Sequence, residues 1–321
     1  MPRMRIALTG ATGFVGLPVS RLLVERGHEV SVLARDPDRV ENARAFRVVT
    51  GDLFNKMALA ELVSGADAVL HLAGAIKARG REGFFAINKD GTVNLAKAAL
   101  GGGVKRFVHI SSLAAREPHL SAYGASKQAA EQAVAAAGMK ALIIRPPVVY
   151  GPGDEATLPL LRELTRSVAI IPGNSGQRFS LIHVDDLAAV LCDAVENECT
   201  GLVEVDDLSG GHGWDDLLAI TRHVFGTPKN SIFVPFGFAS LAGMVFDAWA
   251  AVSGHAQMIS QGKVRELYHP DWVVTGDNWP RPNPIVLSQG LPATIRWYQD
   301  RVKLPRTLPR PGAEDRSEHH D

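Results

Sequence analysis

A tyrosine and a lysine that could exchange protons stand four residues apart, at Tyr123 and Lys127 in the segment YGASK. On a helix, this spacing places both side chains on one face. A phenol has a pKa of about 10 and is a poor acid or base at neutral pH, and a nearby ammonium group lowers that pKa by favouring the phenolate. Ser111 and Ser112 end the strand-like run before this helix, where a hydroxyl can hydrogen-bond a substrate oxygen. The spacing alone also occurs by chance on exposed helices, so its meaning depends on the surrounding elements.

Short apolar runs alternate with helical patterns over the first 150 residues. Most runs are continuously apolar, which is typical of parallel strands covered on both faces. We therefore expect an α/β fold, a Rossmann-type doubly wound parallel sheet with a smaller mixed C-terminal substrate domain. The predicted strands are 5–8, 30–34, 46–50, 68–72, 104–110, 141–144 and 179–183. The predicted helices are 16–26, 84–100, 123–137, 156–166, 184–196 and 288–302.

The regular alternation weakens after Arg145, in the segment RPPVVYGPGD. The chain's last residues, KLPRTLPRPGAEDRSEHHD, are charged and rich in proline, so we expect a disordered tail. The predicted division is a cofactor-binding domain over 1–155 to which 178–200 returns, a substrate-binding domain over 156–177 and 201–302, and a tail over 303–321.

A glycine-rich segment, TGATGFVG at 9–16, follows the first predicted strand and opens a helix. Gly10 permits a tight turn, Gly13 lets a pyrophosphate approach the backbone, and Gly16 lets the helix pack on the sheet. The spacing is one residue wider than in the usual dinucleotide fingerprint, but the helix N-terminus still faces the anion. The predicted cofactor contacts in this loop are Gly10, Thr12, Gly13, Phe14, Val15 and Gly16.

The end of the second predicted strand indicates which nicotinamide cofactor is bound. An acidic residue there favours NAD, because it accepts from the ribose 2′-hydroxyl, and an arginine favours the 2′-phosphate of NADP. Ala34 stands where the carboxylate is expected and Arg35 follows, which predicts NADPH (NADP+). Asp36 could still reach a ribose, so NAD(H) remains a less favoured alternative. Further predicted contacts are Asp52 and Leu53 at the adenine end, and Leu72, Ala73 and Gly74 after the fourth strand.

The composition excludes several other classes of protein. Among 321 residues, 34 Lys and Arg balance 34 Asp and Glu, so no chain-wide basic field favours nucleic acid. Cys192 and Cys199 give neither a disulfide framework nor a metal-ligand spacing, so we expect no metal and a reducing compartment. His71, His109 and His183 form no metal set with nearby acids. No apolar signal core is visible at the N-terminus, so we expect a cytoplasmic protein.

The order of these motifs resembles the short-chain dehydrogenase/reductase superfamily in its extended form, which includes NAD-dependent epimerases and dehydratases. Within this superfamily the chain looks similar to atypical members related to the 39-kDa subunit of respiratory complex I, and to bacterial 3-oxo-lipid reductases such as ceramide reductase. The motifs are TGATGFVG at 9–16, GDL at 51–53, HLAG at 71–74, Asn88 with GTVN at 91–94, VHISS at 108–112, YGASK at 123–127, RPPVVYGPGD at 145–154 and RFSLIHVDDLA at 178–188.

The resemblance implies a role for each matching residue. Tyr123 would be the general acid in reduction, Lys127 would bind the nicotinamide ribose, and Ser112 would orient the substrate oxygen. Ser111 is the less favoured serine. Asn88 would lie near the active site, and the stretch from Pro146 to Val148 near the nicotinamide carboxamide.

The substrate region is unusually apolar, since Asp247 is the only formal charge in 231–262. A core helix, a wall for an acyl chain and a surface at a membrane interface remain alternatives for this segment. The side chains that would form such a wall or surface are Phe233, Phe236, Phe238, Met244, Phe246 and Trp249.

We expect an oxidoreductase that transfers a hydride from NADPH to a ketone of a hydrophobic substrate, a long-chain 3-oxo lipid such as 3-oxo-ceramide. Dehydratases usually follow the catalytic hydroxyl with acidic residues, whereas Leu113 follows Ser112 here. One alternative is a nucleotide-sugar epimerase that uses bound NAD, and another is a non-catalytic NADPH-binding structural or assembly protein. Peripheral membrane contact and a homodimer remain open.

Overall fold

The computed structural model describes residues 2–253, 260–276, 279–280 and 282–301. The strands are β1 Arg5–Thr9, β2 Glu29–Ala34, β3 Arg47–Thr50, β4 Ala68–His71, β5 Arg106–Ile110, β6 Ala141–Arg145, β7 Val148–Tyr150, β8 Val168–Pro172, β9 Arg178–Phe179, β10 Leu181–His183, β11 Gly201–Glu204, β12 His212–Gly213, β13 Asn230–Val234 and β14 Asp271–Trp272. The α-helices are α1 Gly16–Glu25, α2 Lys56–Val63, α3 Gly80–Phe85, α4 Gly91–Gly101, α5 Ala122–Ala136, α6 Leu158–Leu164, α7 Val184–Glu196, α8 Trp214–Phe225, α9 Phe236–Ser253, α10 Gln261–Tyr268 and α11 Leu287–Asp300.

Seven parallel strands form the central sheet in the order β11-β6-β5-β4-β1-β2-β3. The chain runs outward from β1 through β2 to β3, and then returns to β4 on the other side of β1. The strand order therefore reverses between β1 and β4, and a crevice opens there at the carboxyl ends of the strands. The predicted Rossmann-type doubly wound fold is confirmed.

Both faces of the sheet are buried, which explains why its strands are apolar at nearly every position. On one face, α1 and α7 contribute Val19, Leu23, Leu187 and Leu191 to a core with β1 and β2. On the other face, α2 and α4 contribute apolar side chains that include Leu59 and Leu95. The removal of these side chains from water provides the main driving force that holds the layers together.

A second, smaller core lies among the elements that follow β7. It gathers side chains of α6, α8 and α11, including the fully buried Leu164, Ile295 and Tyr298. Three small sheets surround this core: β10 with β7, β13 with β8, and β9 between β12 and β14.

The structure differs in detail from the elements expected from the sequence. The segment 201–204, which the sequence assigns to the substrate domain, supplies β11 at the edge of the central sheet. The expected helix over 84–100 is divided by a π-helical turn at Ala86–Asp90. The division into domains stays a prediction, and the expected tail at 303–321 lies outside the described residues.

Candidate active site

The glycine loop connects β1 to α1 at the reversal of strand order. Gly10 has a φ of +82°, and a Cβ on it would lie 2.7 Å from the amide nitrogen of Ala73. A Cβ on Gly16 would lie 1.9 Å from the carbonyl oxygen of Gly10, so only glycine permits this approach of α1 to the loop. A Cβ on Gly13 would approach only that carbonyl oxygen, at 3.3 Å. Backbone atoms thus fill the space beside Gly10 and Gly16, whereas the space beside Gly13 is open. A pyrophosphate needs such an open position to approach the backbone.

The first turn of α1 also suits an anion. Helix N-termini leave backbone N–H groups without partners inside the helix, and their dipole favours negative charge. Thr12 and Phe14 lie in the loop before α1, Val15 is the N-cap of this helix, and no acidic residue occupies its first turn. Phe14 approaches a second loop, because a Cβ on Gly153 would lie 3.9 Å from its ring. The RPPVVYGPGD motif therefore flanks the glycine loop.

The two charged residues after β2 differ in their surroundings. Arg35 is exposed, and the preceding Ala34 is buried. The Asp36 carboxylate accepts a hydrogen bond from the backbone N–H of Asp38 at 3.1 Å and caps a short 3₁₀ turn. One oxygen of Asp36 is therefore engaged within its own turn.

The predicted adenine-end contacts lie after β3. One Asp52 oxygen accepts from the backbone N–H groups of Phe54 and Asn55, at 2.8 and 3.1 Å. Leu53 is buried, and its carbonyl accepts from the Asn94 side chain at 3.0 Å. Asp52 is exposed and has its second oxygen for other partners, whereas the Leu53 side chain packs inward.

Tyr123, Lys127 and Ser112 meet at the carboxyl end of β5. Tyr123 and Lys127 lie on one face of α5, and Ser112 lies close enough to the Tyr123 hydroxyl to oppose the rise of its pKa. The buried Lys127 ammonium donates to the carbonyl oxygen of Ile110 at 2.7 Å. The Phe84 ring contacts the Tyr123 ring edge to face, with 6.0 Å between the ring centroids. The sequence-predicted acid–base pair and its serine are therefore side by side.

The two neighbouring serines have different partners. The Ser111 hydroxyl donates to Glu131 at 2.5 Å, and the same carboxylate accepts two hydrogen bonds from Arg145 at 2.7 and 2.8 Å. Ser111 is thus part of a buried structural network, whereas Ser112 faces Tyr123. This geometry favours Ser112 as the serine that meets a substrate.

Asn88 connects the segment after β4 to α5. Its side chain makes two hydrogen bonds to the backbone of Ala75, at 2.7 and 3.0 Å, and donates to the Ser126 hydroxyl at 2.9 Å. Ser126 in turn donates to the carbonyl of Tyr123 at 2.7 Å. A Cβ on Gly74 would lie 3.2 Å from the Asn88 amide oxygen and 3.9 Å from the Lys127 nitrogen. Asn88 therefore positions α5 against the strand end, and the π-helical turn that carries it is a feature common at functional sites.

A hydrogen-bonded histidine supports the same strand ends. His71 contacts the Thr9 hydroxyl at 2.7 Å and the Thr92 hydroxyl at 2.8 Å, and Leu72 and Ala73 bond to Thr9 through their backbone N–H groups at 3.1 and 3.3 Å. Burial, together with the Lys127 charge, lowers the pKa of His71 to about 3, so the ring is neutral. The sequence places His71 in no metal set, and its two partners are set by the fold: the pairing of β4 beside β1 brings Thr9 to the ring, and α4 supplies Thr92.

The remaining predicted contacts lie beyond β6. Pro146 is buried, and its carbonyl accepts from the backbone N–H of Leu113 at 2.8 Å, which holds it beside the serine-bearing turn. Val148 is half-exposed and starts β7. Among the described residues, no group of three His, Cys, Asp or Glu side chains could hold a metal ion.

Burial shifts the pKa values of both Tyr123 and Lys127. Desolvation raises the pKa of Tyr123 to about 12, with Ser112 opposing this shift and the Glu266 charge adding to it. Desolvation lowers the pKa of Lys127 to about 8, and the Glu131 charge opposes that shift. The sequence predicts that Lys127 lowers the pKa of Tyr123, but in the folded protein the burial of the phenol has the largest effect on that pKa. Tyr123 is consequently protonated at neutral pH.

The buried Lys127 should make stability depend on pH. The pKa of its ammonium group is about 8 in the folded protein and 10.5 as a model value for the unfolded chain. Between these two pKa values the unfolded chain binds more protons than the folded protein does. Burial of the charged ammonium group therefore destabilises the fold fully below the pKa of the folded protein. This destabilisation disappears as the pH rises to the pKa of the unfolded chain. As the pH rises across this window, we expect the free energy of unfolding of the wild type to increase by up to about 3 kcal/mol relative to that of Lys127→Met. Urea unfolding of both proteins at the two ends of the window measures this gain, and a difference independent of pH would contradict it.

Comparisons with known proteins agree with the fold and the motifs. Residues 6–204 match the model of the NAD dependent epimerase/dehydratase family. The chain is 40% identical to ceramide reductase from Caulobacter vibrioides over 308 residues, which cover 94% of this chain and 97% of that protein. It is 30% identical to 2-alkyl-3-oxoalkanoate reductase from Stenotrophomonas maltophilia over 208 residues, which cover 58% of this chain and 63% of that protein.

Solved structures share the fold at lower identity. A UDP-N-acetylglucosamine 4-epimerase from Methanobrevibacter ruminantium has a TM-score of 0.72 and 16% identity, with 94% of this chain and all of that chain covered (100%). MoeE5 in complex with UDP-glucose and NAD has a TM-score of 0.69 and 20% identity, with 93% and 99% covered.

The motif resemblance is therefore confirmed by the family match and the full-length reductase relative. Together with the loop that fits a dinucleotide, these findings identify an NAD(P)-dependent oxidoreductase. The chain belongs to the NAD dependent epimerase/dehydratase family, the extended short-chain dehydrogenases/reductases.

Proposed function

We propose that the chain uses NADPH to reduce the ketone of a hydrophobic substrate, a long-chain 3-oxo lipid such as 3-oxo-ceramide. The observation that carries this proposal is the position of Tyr123 beside Ser112, with apolar side chains after Ser112 in place of a second acid. Leu113 and Ala115 after Ser112 are both buried, so this turn offers no carboxylate for an elimination. Reduction of a ketone needs one proton donor and no additional base.

Each residue of the site would have its own role in such a reduction. When bound, NADPH supplies the hydride. Ser112 would donate a hydrogen bond to the substrate carbonyl oxygen and hold it close to the phenol, and Tyr123 would donate its proton to that oxygen. Lys127 would stabilise the phenolate that remains, because its ammonium group favours the charged form. Asn88 would keep α5 in register with the end of β4.

The choice of NADPH rests on the residues after β2. The exposed Arg35 is available to a 2′-phosphate, and one oxygen of the Asp36 carboxylate is engaged in its own turn. Charge-assisted hydrogen bonds from a guanidinium to a phosphate are among the stronger ones in proteins. This arrangement supports NADPH over NADH.

Replacement of Arg35 by Ser tests this choice. We expect Arg35→Ser to weaken NADPH binding by about 10- to 100-fold, because a hydrogen bond to a charged group contributes about 1.5–3 kcal/mol. The affinity for NADH should change little, because that cofactor has no 2′-phosphate. Fluorescence titration with both cofactors measures the two affinities. Equal losses for NADPH and NADH, or a wild type that prefers NADH, would contradict the assignment.

A lipid substrate is supported by the reductase relatives and by the exposed side chains of the substrate region. Ceramide reductase matches almost the whole chain, and the second relative is named for 3-oxoalkanoates. Phe236, Phe238 and Met244 lie at the surface rather than in the interior, which disfavours the interpretation of α9 as an ordinary core helix. Phe233 is half-buried, and the side chains of Phe246 and Trp249 lie outside the described part of the chain.

Transfer of label tests the proposal directly. NADPH deuterated at its reactive position should give a 3-hydroxy lipid that carries one deuterium when the enzyme is incubated with a 3-oxo lipid. Release of tightly held NAD on denaturation, with interconversion of nucleotide sugars, would instead favour the epimerase alternative. Retention of NADPH without any transfer would favour the non-catalytic, cofactor-holding alternative.

A further inference from the structure

An apolar surface extends over β8, β13 and the start of α9. We define it by six side chains that share substantial exposure to solvent: Ile170, Ile232, Phe236, Phe238, Leu241 and Met244. Phe238 is 73% exposed, and Ile232 and Leu241 are each 57% exposed. Large apolar side chains exposed on neighbouring elements can form a binding surface.

The strands present one of their two faces to solvent. β8 and β13 pair in parallel, with Ile170 opposite Ile232. Successive side chains of a strand point to opposite faces, so the neighbouring Ala169 and Ile171 point the other way and are buried. The exposed isoleucines therefore reflect the register of the small sheet rather than a loose segment.

The start of α9 is held firmly by the neighbouring helix. The Phe236 ring packs against Tyr268 of α10 with 5.3 Å between the centroids, and the Tyr268 hydroxyl donates to the carbonyl of Val234 at 2.5 Å. A Cβ on Gly243 would lie 3.2 Å from the backbone of Gln261, so the two helices are in close contact. One side of α9 is thus occupied by α10, and Phe238 and Leu241 still face solvent.

Cationic side chains lie at the start of β13. Lys229 precedes the strand and is exposed, and Arg222 at the end of α8 is exposed beside it. Arg222 is oriented by a hydrogen bond to the carbonyl of Pro228 at 2.9 Å. The acidic Glu163 near β8 is paired with Arg166 at 2.8 Å. A positive rim beside an apolar surface complements an anionic lipid headgroup layer above acyl chains.

The apolar surface is one helix away from the catalytic tyrosine. A Cβ on Gly262 of α10 would lie 3.1 Å from Cβ of Ser121, which caps α5 by accepting from the N–H of Gly124 at 2.9 Å. Glu266 of α10 also accepts a hydrogen bond from Ser121. Tyr123 occupies the first turn of the same helix.

We propose that this apolar surface rests in the interface of an anionic lipid bilayer and brings α10 and the start of α5 to the membrane. The inference rests on the proposed lipid substrate, which would be found in that bilayer. No helix within the described residues is long and apolar enough to span a membrane, so the contact is peripheral in this part of the chain.

Vesicle flotation tests the proposal. Wild-type protein should float with vesicles of equal parts phosphatidylcholine and phosphatidylglycerol. The double variant Phe238→Ser/Leu241→Ser should bind about 100-fold more weakly, because burial of each large apolar side chain strengthens binding by about tenfold or more. Met57→Ser/Leu100→Ser is the matched control, since both residues are exposed on α2 and α4, and it should float like the wild type. Lys229→Glu should weaken binding to these vesicles and leave binding to pure phosphatidylcholine unchanged.

Several outcomes would overturn the inference. The first is that the wild-type protein stays in the aqueous fraction, and the second is that the double variant floats like the wild type. The last is that the wild type is a dimer in solution and the double variant is a monomer. The last result would assign the surface to a second copy of the chain. NADPH consumption with a detergent-dispersed 3-oxo lipid separates the two proposals. If the protein consumes NADPH with the lipid but does not float, only the membrane contact is contradicted. If it floats through the apolar surface but does not consume NADPH, only the proposed substrate is contradicted.

Discussion

Tyr123→Phe should lower kcat by about 10²- to 10⁴-fold, because it removes the proton donor and keeps the ring. The phenylalanine ring can retain the edge-to-face contact with Phe84, so the folded structure should change little. Affinity for NADPH should be nearly unchanged, because the cofactor's proposed contacts lie mainly in the glycine loop and at Arg35. Stopped-flow measurement of NADPH oxidation, with cofactor titration in parallel, separates the loss of catalysis from a loss of binding.

Tyr150→Phe is the matched control for this experiment. Tyr150 is buried, and its hydroxyl has no hydrogen-bond partner among the described residues. Removal of a hydroxyl there should leave kcat within about twofold and stability unchanged or improved, because no buried hydrogen bond is lost. Comparable losses in Tyr123→Phe and Tyr150→Phe would contradict a specific role for Tyr123.

Gly16→Ala should destabilise the folded protein by about 3 kcal/mol or more and abolish cofactor binding. The new Cβ would lie 1.9 Å from the carbonyl oxygen of Gly10, and a backbone atom cannot move aside without deforming the loop. Thermal or urea unfolding should show the loss of stability, and a titration with NADPH should show the loss of binding.

Gly13→Ala in the same loop distinguishes an effect on stability from an effect on cofactor binding. Its Cβ would lie 3.3 Å from one carbonyl oxygen, which requires an adjustment of only a few tenths of an ångström. We expect a small change in unfolding free energy and at least a tenfold loss of NADPH affinity, because the methyl group would occupy the face left open for the pyrophosphate. A Gly13→Ala protein that binds NADPH normally would contradict the placement of the cofactor on this loop.

The central sheet could be predicted because each of its strands is recognisable from its own residues. Strands buried on both faces are apolar at successive positions, and glycine follows several of the helices. The helix at 56–63 was not predicted, although Asn55 caps it by accepting from the N–H of Ala58 at 3.1 Å. The strand expected over 179–183 is interrupted at Ser180, whose hydroxyl donates to Asp206 at 2.6 Å. That partner is distant in sequence, so no local pattern marks the interruption.

The candidate site was predictable where its residues are close in sequence. Tyr123 and Lys127 share a helix, and the three glycines share one loop. The supports of the site connect distant segments: Asn88 bonds to Ala75 and Ser126, and Ser111 bonds to Glu131. These contacts depend on which strands are neighbours, which the order of residues along the chain does not state. The burial that raises the pKa of Tyr123 is likewise a property of the folded protein.

Consumption of NADPH by the wild-type protein tests the central proposal most directly. Absorbance of the cofactor would be followed with long-chain 3-oxo lipids and, separately, with UDP-linked sugars, and Tyr123→Phe would serve as the inactive control. We expect oxidation of NADPH with the 3-oxo lipids alone, and loss of that oxidation in Tyr123→Phe. Binding of NADPH without oxidation by the lipids, or a Tyr123→Phe variant as active as the wild type, would contradict the proposed reductase.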